Sequence, residues 1–432
     1  MKQVVNVLIF PAGSVSAINI YDSLKYNPNF NVFGASAKAD HAEFIYPQGK
    51  LFSGNLFITQ KDFIDEFNKV IEKFKIDYII PTHDTVALFL ARHCRSIKAE
   101  LICSPYKTAK IAENKKLTCE CLKDLYFYPK VYNSINEITN YPVFLKPYVG
   151  AGGKGTYLVT SKEDLKVILK KNPDLLISEY LPGREYTVDC FTNKDGELLF
   201  AGARTRERIT IGITFHSVRT EPDSEFKSIA EELNNKLKFR GAWFFQVKED
   251  GFGNLKLMEF SVRQAGTMAF YRQLGINFAA LSVFDAMGRD LRVVFNDYKL
   301  ILDRTVKSSY RLDYQYEILY IDLDETLIVN GNVNTDLMKL IYQSVNANKK
   351  VVLLTKHPYV LDGSLRKYRI NKDLFDEIIL LEPEKEKAEY IAKSNAVFID
   401  NSFAERILVK EICNIPVFDV DAVECLIDSS AI

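Results

Sequence analysis

The sequence predicts a multidomain protein of α/β and α+β class: a doubly wound parallel domain over residues 1–106, an α+β domain with antiparallel strands over 107–312, and a Rossmann-like α/β domain over 313–432. Three observations lead there. At 432 residues the chain is too long for one hydrophobic core. Near the N-terminal end, apolar strands alternate with helical segments at short intervals, as parallel sheets require, while the class of the C-terminal domain rests on a motif resemblance. From Tyr141 to Phe260, strand-like runs follow one another with few helices, as in antiparallel pairing.

The elements follow in order. Val4 to Phe10 reads as a buried strand, Pro11 to Ser16 as a glycine turn, and Ala17 to Leu24 as a helix. Phe30 to Ala35 is a second strand, Phe63 to Phe74 an amphipathic helix, and Tyr78 to Thr82 a third strand ending in a polar turn. Doubly wound sheets bind ligands beyond the carboxyl ends of their strands, which places Gly13-Ser14 and Thr82-His83-Asp84 toward a site. Asn114 opens a helix that carries Cys119 to Leu125. Strands are then expected at 143–145, 156–159, 175–179, 186–191, 198–203, 242–248 and 255–260, with helices near 162–169, 224–237 and 277–287. After the polar stretch Thr305 to Gln315, a new strand begins at Glu317.

Composition narrows the function. Hydrophobic content of 47% with 26% charge is that of a folded soluble protein, and Lys+Arg equals Asp+Glu at 56 each, so no global field draws nucleic acid or an anionic membrane. The opening Met1-Lys2-Gln3-Val4-Val5-Asn6 is broken too early for a signal peptide, and no stretch reaches membrane-span length; a cytoplasmic location is expected. Seven scattered cysteines, with no Cys-x-x-Cys, read as reduced.

The stretch Phe144-Leu145-Lys146-Pro147-Tyr148-Val149-Gly150-Ala151-Gly152-Gly153-Lys154-Gly155-Thr156 is the chemical centre of the chain. Four glycines within six residues let the backbone turn tightly and aim several N–H groups at one anion, although a glycine hairpin between strands has the same composition. It is neither a Walker loop nor a dinucleotide fingerprint.

Around it, motifs follow in order: Lys115, then Lys146-Pro147 with the glycine loop, Ser178 to Asp189, Gln246-Val247-Lys248, and Met258-Glu259-Phe260-Ser261-Val262-Arg263. Over roughly residues 4–310 this series resembles the ATP-grasp superfamily, nearest to the carbamoyl-phosphate-synthetase large-chain type. The resemblance implies a pre-ATP-grasp domain, an ATP-grasp domain and an ATP-dependent ligase acting through an acyl phosphate on small-molecule carboxylate and amine substrates. ATP and Mg²⁺ are the implied cofactors. Lys115, Lys146, Gly152 and Gly153 would hold phosphates, Glu179 and Leu181 the adenine edge, and Glu185 the ribose hydroxyls. Glu259, with Gln246, would bind Mg²⁺; Arg263 and one or more of Arg204, Arg206 and Arg208 would stabilise the transferring phosphoryl group. Ser261 stands where the family pattern has asparagine, a poorer ligand for a second metal. Gly266-Thr267-Met268 and Phe270-Tyr271 would shape the substrate pocket. Ligases of this kind are often homodimers.

The strand from Glu317 ends in Asp322-Leu323-Asp324-Glu325-Thr326. Two carboxylates two residues apart lie on one side, where they can hold Mg²⁺ or divide nucleophile and acid roles. With Val351 to Thr355, Lys385 or Lys387, and Val397 to Asp400 following, the pattern resembles the haloacid dehalogenase superfamily. By that resemblance Asp322 is the nucleophile, Asp324 the general acid/base and metal ligand beside Asp322 and Asp400, and Thr355 with Lys387 the phosphate ligands. Asn401 replaces a common second acid. Only 28 residues lie between Thr326 and Thr355, too few for a cap domain, so the site should be open. The expectation is a ligase fused to a Mg²⁺-dependent phosphatase acting on the ligase's product or precursor, one substrate being phosphorylated. The alternative is an ATP-binding regulator with an inactive ligase domain and an active phosphatase.

Overall fold

The first apolar run becomes β1 (Val5–Phe10), buried on both faces because it lies at the centre of a parallel sheet. β2 (Phe30–Ser36), β3 (Leu51–Ser53), β4 (Tyr78–Pro81) and β5 (Glu100–Leu101) complete it in the order β3-β2-β1-β4-β5, all parallel. The computed structural model describes residues 4–431 apart from 151, 211, 221–223, 307 and 311. Thus the opening Met1-Lys2-Gln3, Ala151 of the glycine loop, and Lys307 and Arg311 of the polar stretch lie outside the described residues. The first helix starts at Val15, two residues before the expected Ala17, because the Ser14 hydroxyl accepts from Ala17 N at 3.1 Å and caps it. The chain order reverses between β1 and β4, so the residues after these strands open a crevice at the switch point.

The middle of the chain holds three antiparallel sheets where one was expected. β6 (Val131–Tyr132), β7 (Val143–Pro147), β8 (Tyr157–Val159) and β9 (Leu175–Glu179) form a small sheet in the order β6-β9-β7-β8. β10 (Glu185–Thr192), β11 (Leu198–Thr205), β14 (Gly241–Glu249) and β15 (Leu255–Ser261) form a second, in the order β11-β10-β14-β15. β12 (Glu207–Thr210), β13 (Ile213–Val218) and β16 (Ile301–Asp303) form the third. The division follows from separate cores. Val143, Leu145, Leu165 and Ile177 close the small sheet, whereas Val188, Trp243 and Phe245 pack with Ile229 and Leu233 of helix Ser224–Lys236. Trp243 stacks on Phe239 with centroids 3.8 Å apart.

Residues Met1–Val306 make one compact unit, and Lys307–Ile432 a second. The boundary expected at 106 is absorbed because helix Phe278–Ala286 sends Ala279, Ala280 and Val283 into the core of the first sheet, against Val5, Val7 and Ile9. In the second unit, β17 (Ile318–Ile321) is central. With the hairpin β18 (Ile328–Val329) and β19 (Asn332–Val333) set apart, it pairs in parallel with β20 (Lys350–Thr355) and β22 (Ala396–Ile399). β21 (Glu377–Leu380) and β23 (Val417–Phe418) form the edges. Among the described residues no helix is long and apolar enough to cross a membrane.

Candidate active sites

In the first unit the glycine loop joins β7 to β8. Gly152, Gly153 and Gly155 have φ of 68°, 72° and 71°, a region where a side chain is strained, so only glycine turns the loop without cost. Lys115 is tied to this loop twice, its backbone N donating to Tyr148 O and its Nζ to Gly150 O, each at 2.7 Å. It occupies the first turn of helix Lys115–Leu122, which Asn114 caps through Lys116 N and Leu117 N at 3.0 and 3.2 Å. Lys146, near the end of β7, donates to Met258 O at 3.0 Å. Desolvation lowers its pKa to about 8, with the Glu259 carboxylate opposing. Such an ammonium gains from an added anion.

Lys115, Lys146, Gly152, Gly153, Glu179, Leu181 and Glu185 line one cavity of about 310 Å³, together with Arg206, Gln246 and Glu259. Gln246 faces Glu259 across β14 and β15. With its amide turned to donate to Glu259 at 3.3 Å and accept from Arg206 at 3.0 Å, Gln246 joins a chain Glu185–Arg206–Gln246–Glu259. Glu185 Oε1 is thereby held by Arg206 Nε at 2.6 Å, so the carboxylate expected for ribose hydroxyls is partly engaged. Glu179 Oε1 accepts from Lys130 N at 2.7 Å.

A larger cavity of about 590 Å³ shares Lys115, Gly150, Gly152, Arg206, Gln246 and Glu259 and reaches the switch-point residues Ser14, Thr82, His83 and Asp84. Asp84, which the sequence places toward a site at the strand ends, organises this region. Its Oδ2 accepts from Arg263 Nε at 2.9 Å and Nη2 at 2.7 Å, and its Oδ1 accepts the Ser261 hydroxyl. Ser261 is therefore directed to Asp84, to which its hydroxyl donates. Arg204 is fully buried against Asp189, and Arg208 is exposed, bonded to Asp303 and His216 outside both cavities. Gly266 and Thr267 line the larger cavity, but Met268, Phe270 and Tyr271 belong to the core, the Tyr271 hydroxyl donating to Ala203 O at 2.6 Å.

In the second unit Asp322, Thr355 and Asp400 stand at the carboxyl ends of β17, β20 and β22. Lys387 comes from a single 3₁₀ turn, Lys387–Tyr390; Lys385 is exposed. Lys387 Nζ lies 2.6 Å from Asp322 Oδ1 and 2.6 Å from Asp400 Oδ2, all three buried. Burial pushes the Asp322 carboxyl up to about 6; Asp400 adds to the rise, while Lys387 and the Thr355 hydroxyl oppose it. The two carboxylates outweigh burial at Lys387 and raise its pKa. Asp324 does not join them. Its carboxylate meets His357 Nδ1 at 2.8 Å, and His357 Nε2 lies 2.7 Å from Ser364 Oγ, a relay the sequence reading missed because His357 sits past the β20 motif. The expected triple of metal carboxylates, Asp322, Asp324 and Asp400, is thus split. Among the described residues no group of three His, Cys, Asp or Glu converges on a metal position. Thr326 Oγ1 accepts from Asn401 N at 3.0 Å and locks the two loops together.

Two lysines, a glycine loop and a carboxylate thus line one cavity, and comparison with known proteins shows what this chain is similar to. Residues 171–303 match the profile of the family described as "ATP-grasp in the biosynthetic pathway with Ter operon". A D-alanine–D-alanine ligase of Fusobacterium nucleatum is 37% identical over 60 residues, 14% of this chain. The match spans about a fifth of that relative's length (21%). The biotin carboxylase domain of Hydrogenobacter thermophilus 2-oxoglutarate carboxylase, a dimer solved with MgADP, ADP and bicarbonate, superposes with a TM-score of 0.58 at 15% identity, covering 70% of this chain and 74% of that one. N5-carboxyaminoimidazole synthetase of Staphylococcus aureus with ADP gives 0.57 at 15%, covering 70% and 82%. An L-amino acid ligase of Bacillus licheniformis gives 0.52 at 16%, covering 66% and 75%. The shared feature is a mixed α/β fold of ATP-grasp type.

Proposed function

We propose that residues 1–306 form an ATP-dependent carboxylate–amine ligase and residues 307–432 a phosphatase that removes a phosphate from the ligation product or its precursor. The observation that carries the ligase reading is the convergence of Lys115, Lys146, the glycine loop, Gln246 and Glu259 on one cavity that opens into a second, arginine-lined one. ATP fits the first: a desolvated lysine, a second lysine and loop N–H groups suit a polyphosphate. Mg²⁺ would be held by the Glu259 carboxylate with phosphate oxygens completing the set, while Gln246, whose amide oxygen is taken by Arg206 and whose NH₂ faces Glu259, orients that carboxylate and is not the ligand expected. Mg²⁺ when bound neutralises phosphate charge.

In the reaction, the substrate carboxylate oxygen attacks the γ-phosphorus, the bond to ADP breaks, and an acyl phosphate forms. The amine nitrogen then attacks the carbonyl carbon and phosphate leaves with its electron pair, the amine losing a proton. Lys115 and Lys146 hold the phosphates; Arg206 and Arg263 stabilise negative charge on the transferring group. Ligases named among the similar proteins support this class.

For the second unit the support is the buried Asp322–Lys387–Asp400 cluster at three strand ends. Asp322 would attack the phosphorus, Asp324 protonate the leaving oxygen and then take a proton from the water that hydrolyses the aspartyl phosphate. Thr355 and Lys387 would hold the phosphate.

The test is ADP release and phosphate-ester hydrolysis for the wild type, Glu259→Ala and Asp322→Asn. Glu259→Ala should lower ADP formation at least a hundredfold and spare hydrolysis; Asp322→Asn should do the reverse. ADP formation that survives Glu259→Ala overturns the ligase reading. The engagement of Ser261 by Asp84 favours a second reading, an ATP-binding regulator. It predicts ADP binding without ADP formation for any carboxylate.

A further inference from the structure

Among the described residues, three buried polar side-chain atoms in the wall of the larger cavity have no hydrogen-bond partner: Thr187 Oγ1, Thr214 Oγ1 and Arg204 Nη1. Their residues are 1%, 2% and 0% exposed. Buried polar groups are seldom left unpaired, and three in the wall of one cavity suit a polar ligand group there. Arg204 is aimed by its own ion pair. Nε and Nη2 hold Asp189 at 2.7 and 3.1 Å, which fixes the plane of the guanidinium and leaves Nη1 as the available donor.

The sheet places this group relative to the reacting end. Arg204 faces Thr187 across β11 and β10, Thr187 faces Gln246 across β10 and β14, and Gln246 faces Glu259 across β14 and β15. The four form one row. Arg204 and Glu259 are three strand spacings apart, roughly 14 Å between backbones, with both side chains reaching inward. Charge agrees. Arg304, which also lines the larger cavity, has Nη1 3.5 Å from Thr214 O and feels the Arg204 charge, so a second cation stands at this wall.

Resting on the ligase reading above, we infer that the carboxylic acid substrate carries a second carboxylate, bound by Arg204 Nη1 and the hydroxyls of Thr187 and Thr214 while the first reacts beside Lys146 and Glu259. The ligase therefore selects diacids, including amino acids with two carboxylates, over monoacids of equal length.

The test uses the whole chain with Mg²⁺-ATP and hydroxylamine, whose nitrogen displaces phosphate from an acyl phosphate to give a hydroxamate. Glutarate, adipate and glutamate are compared with monoacids of equal carbon number. The wild type should show at least a tenfold higher kcat/KM for diacids. Thr187→Val with Thr214→Val, nearly isosteric and free of a broken ion pair, should lose at least tenfold on diacids and little on monoacids. Equal use of both acid classes, or an unchanged diacid preference in the double variant, overturns the inference. A parallel thermal-shift titration without ATP separates it from the ligase reading. If no acid yields hydroxamate but diacids still saturate at least tenfold below monoacids in the wild type and not in the double variant, the subsite stands and the ligase reading falls. If neither readout separates diacids from monoacids, the subsite falls.

Discussion

Lys146 makes nucleotide affinity depend on pH in a calculable way. Desolvation brings its pKa down to about 8 in the free protein, against the pull of Glu259. At that value the amine is about 90% protonated at pH 7 and about 10% protonated at pH 9. If the phosphates of ADP bind only the ammonium form, affinity at pH 9 is about tenfold lower than at pH 7, a difference of about 1.4 kcal/mol. Bound phosphates pull the pKa back up, so binding takes up about 0.1 proton at pH 7 and about 0.9 at pH 9. Stability runs in the opposite direction. A lysine whose folded pKa lies below its unfolded value holds fewer protons when folded, so the free protein gains stability as pH rises from about 8 toward about 10.5. Titration calorimetry of Mg²⁺-ADP in buffers of different ionisation enthalpy measures affinity and proton uptake together. Lys146→Arg, charged throughout, should bind with little dependence on pH over the same range. Wild-type affinity that stays constant from pH 7 to pH 9, or a Lys146→Arg variant that weakens as steeply, refutes the reasoning.

Lys387→Met leaves Asp322 and Asp400 buried together without a counter-ion and should cost about 3 kcal/mol or more near neutral pH. Carboxyls whose folded pKa is raised add stability below their unfolded value and lose it as pH rises through the folded one, about 6 for Asp322 in the wild type and higher in the variant. Urea unfolding should therefore show a smaller loss in mildly acidic buffer than in neutral buffer, and equal losses would contradict the coupling. Asn114→Ala removes the cap over Lys116 and Leu117 and should destabilise by about 1 kcal/mol, with weaker ADP binding because Lys115 is in the same turn. Calorimetry finding full ADP affinity would show that the cap does not position Lys115. Asp84→Ala releases Arg263 and Ser261 and should raise the KM for the carboxylate at least tenfold while leaving the Kd of ADP within about twofold, since Asp84 lines only the larger cavity. Parallel changes in both constants would place Asp84 in nucleotide binding instead.

The sequence determined by itself whatever is set by local pattern. Alternating or continuous apolar runs marked the strands, glycines in close succession marked a loop whose φ values only glycine accepts without strain, and Asp322-Leu323-Asp324 marked a strand end. These features depend on a few neighbouring residues, so their physics is present in the sequence. The tertiary structure alone decided which polar groups meet. Register across β10 and β11 brings Asp189 to Arg204, which removes that arginine from the candidates for the transferring phosphoryl group. Ser261 and Arg263 are engaged by Asp84 across 177 and 179 residues. Three apolar residues of helix Phe278–Ala286 merge the first sheet with the antiparallel sheets into one unit. A long-range pair forms because burial makes each charged or polar group costly without a partner, and the partner is whichever group the packed backbone brings within about 3 Å.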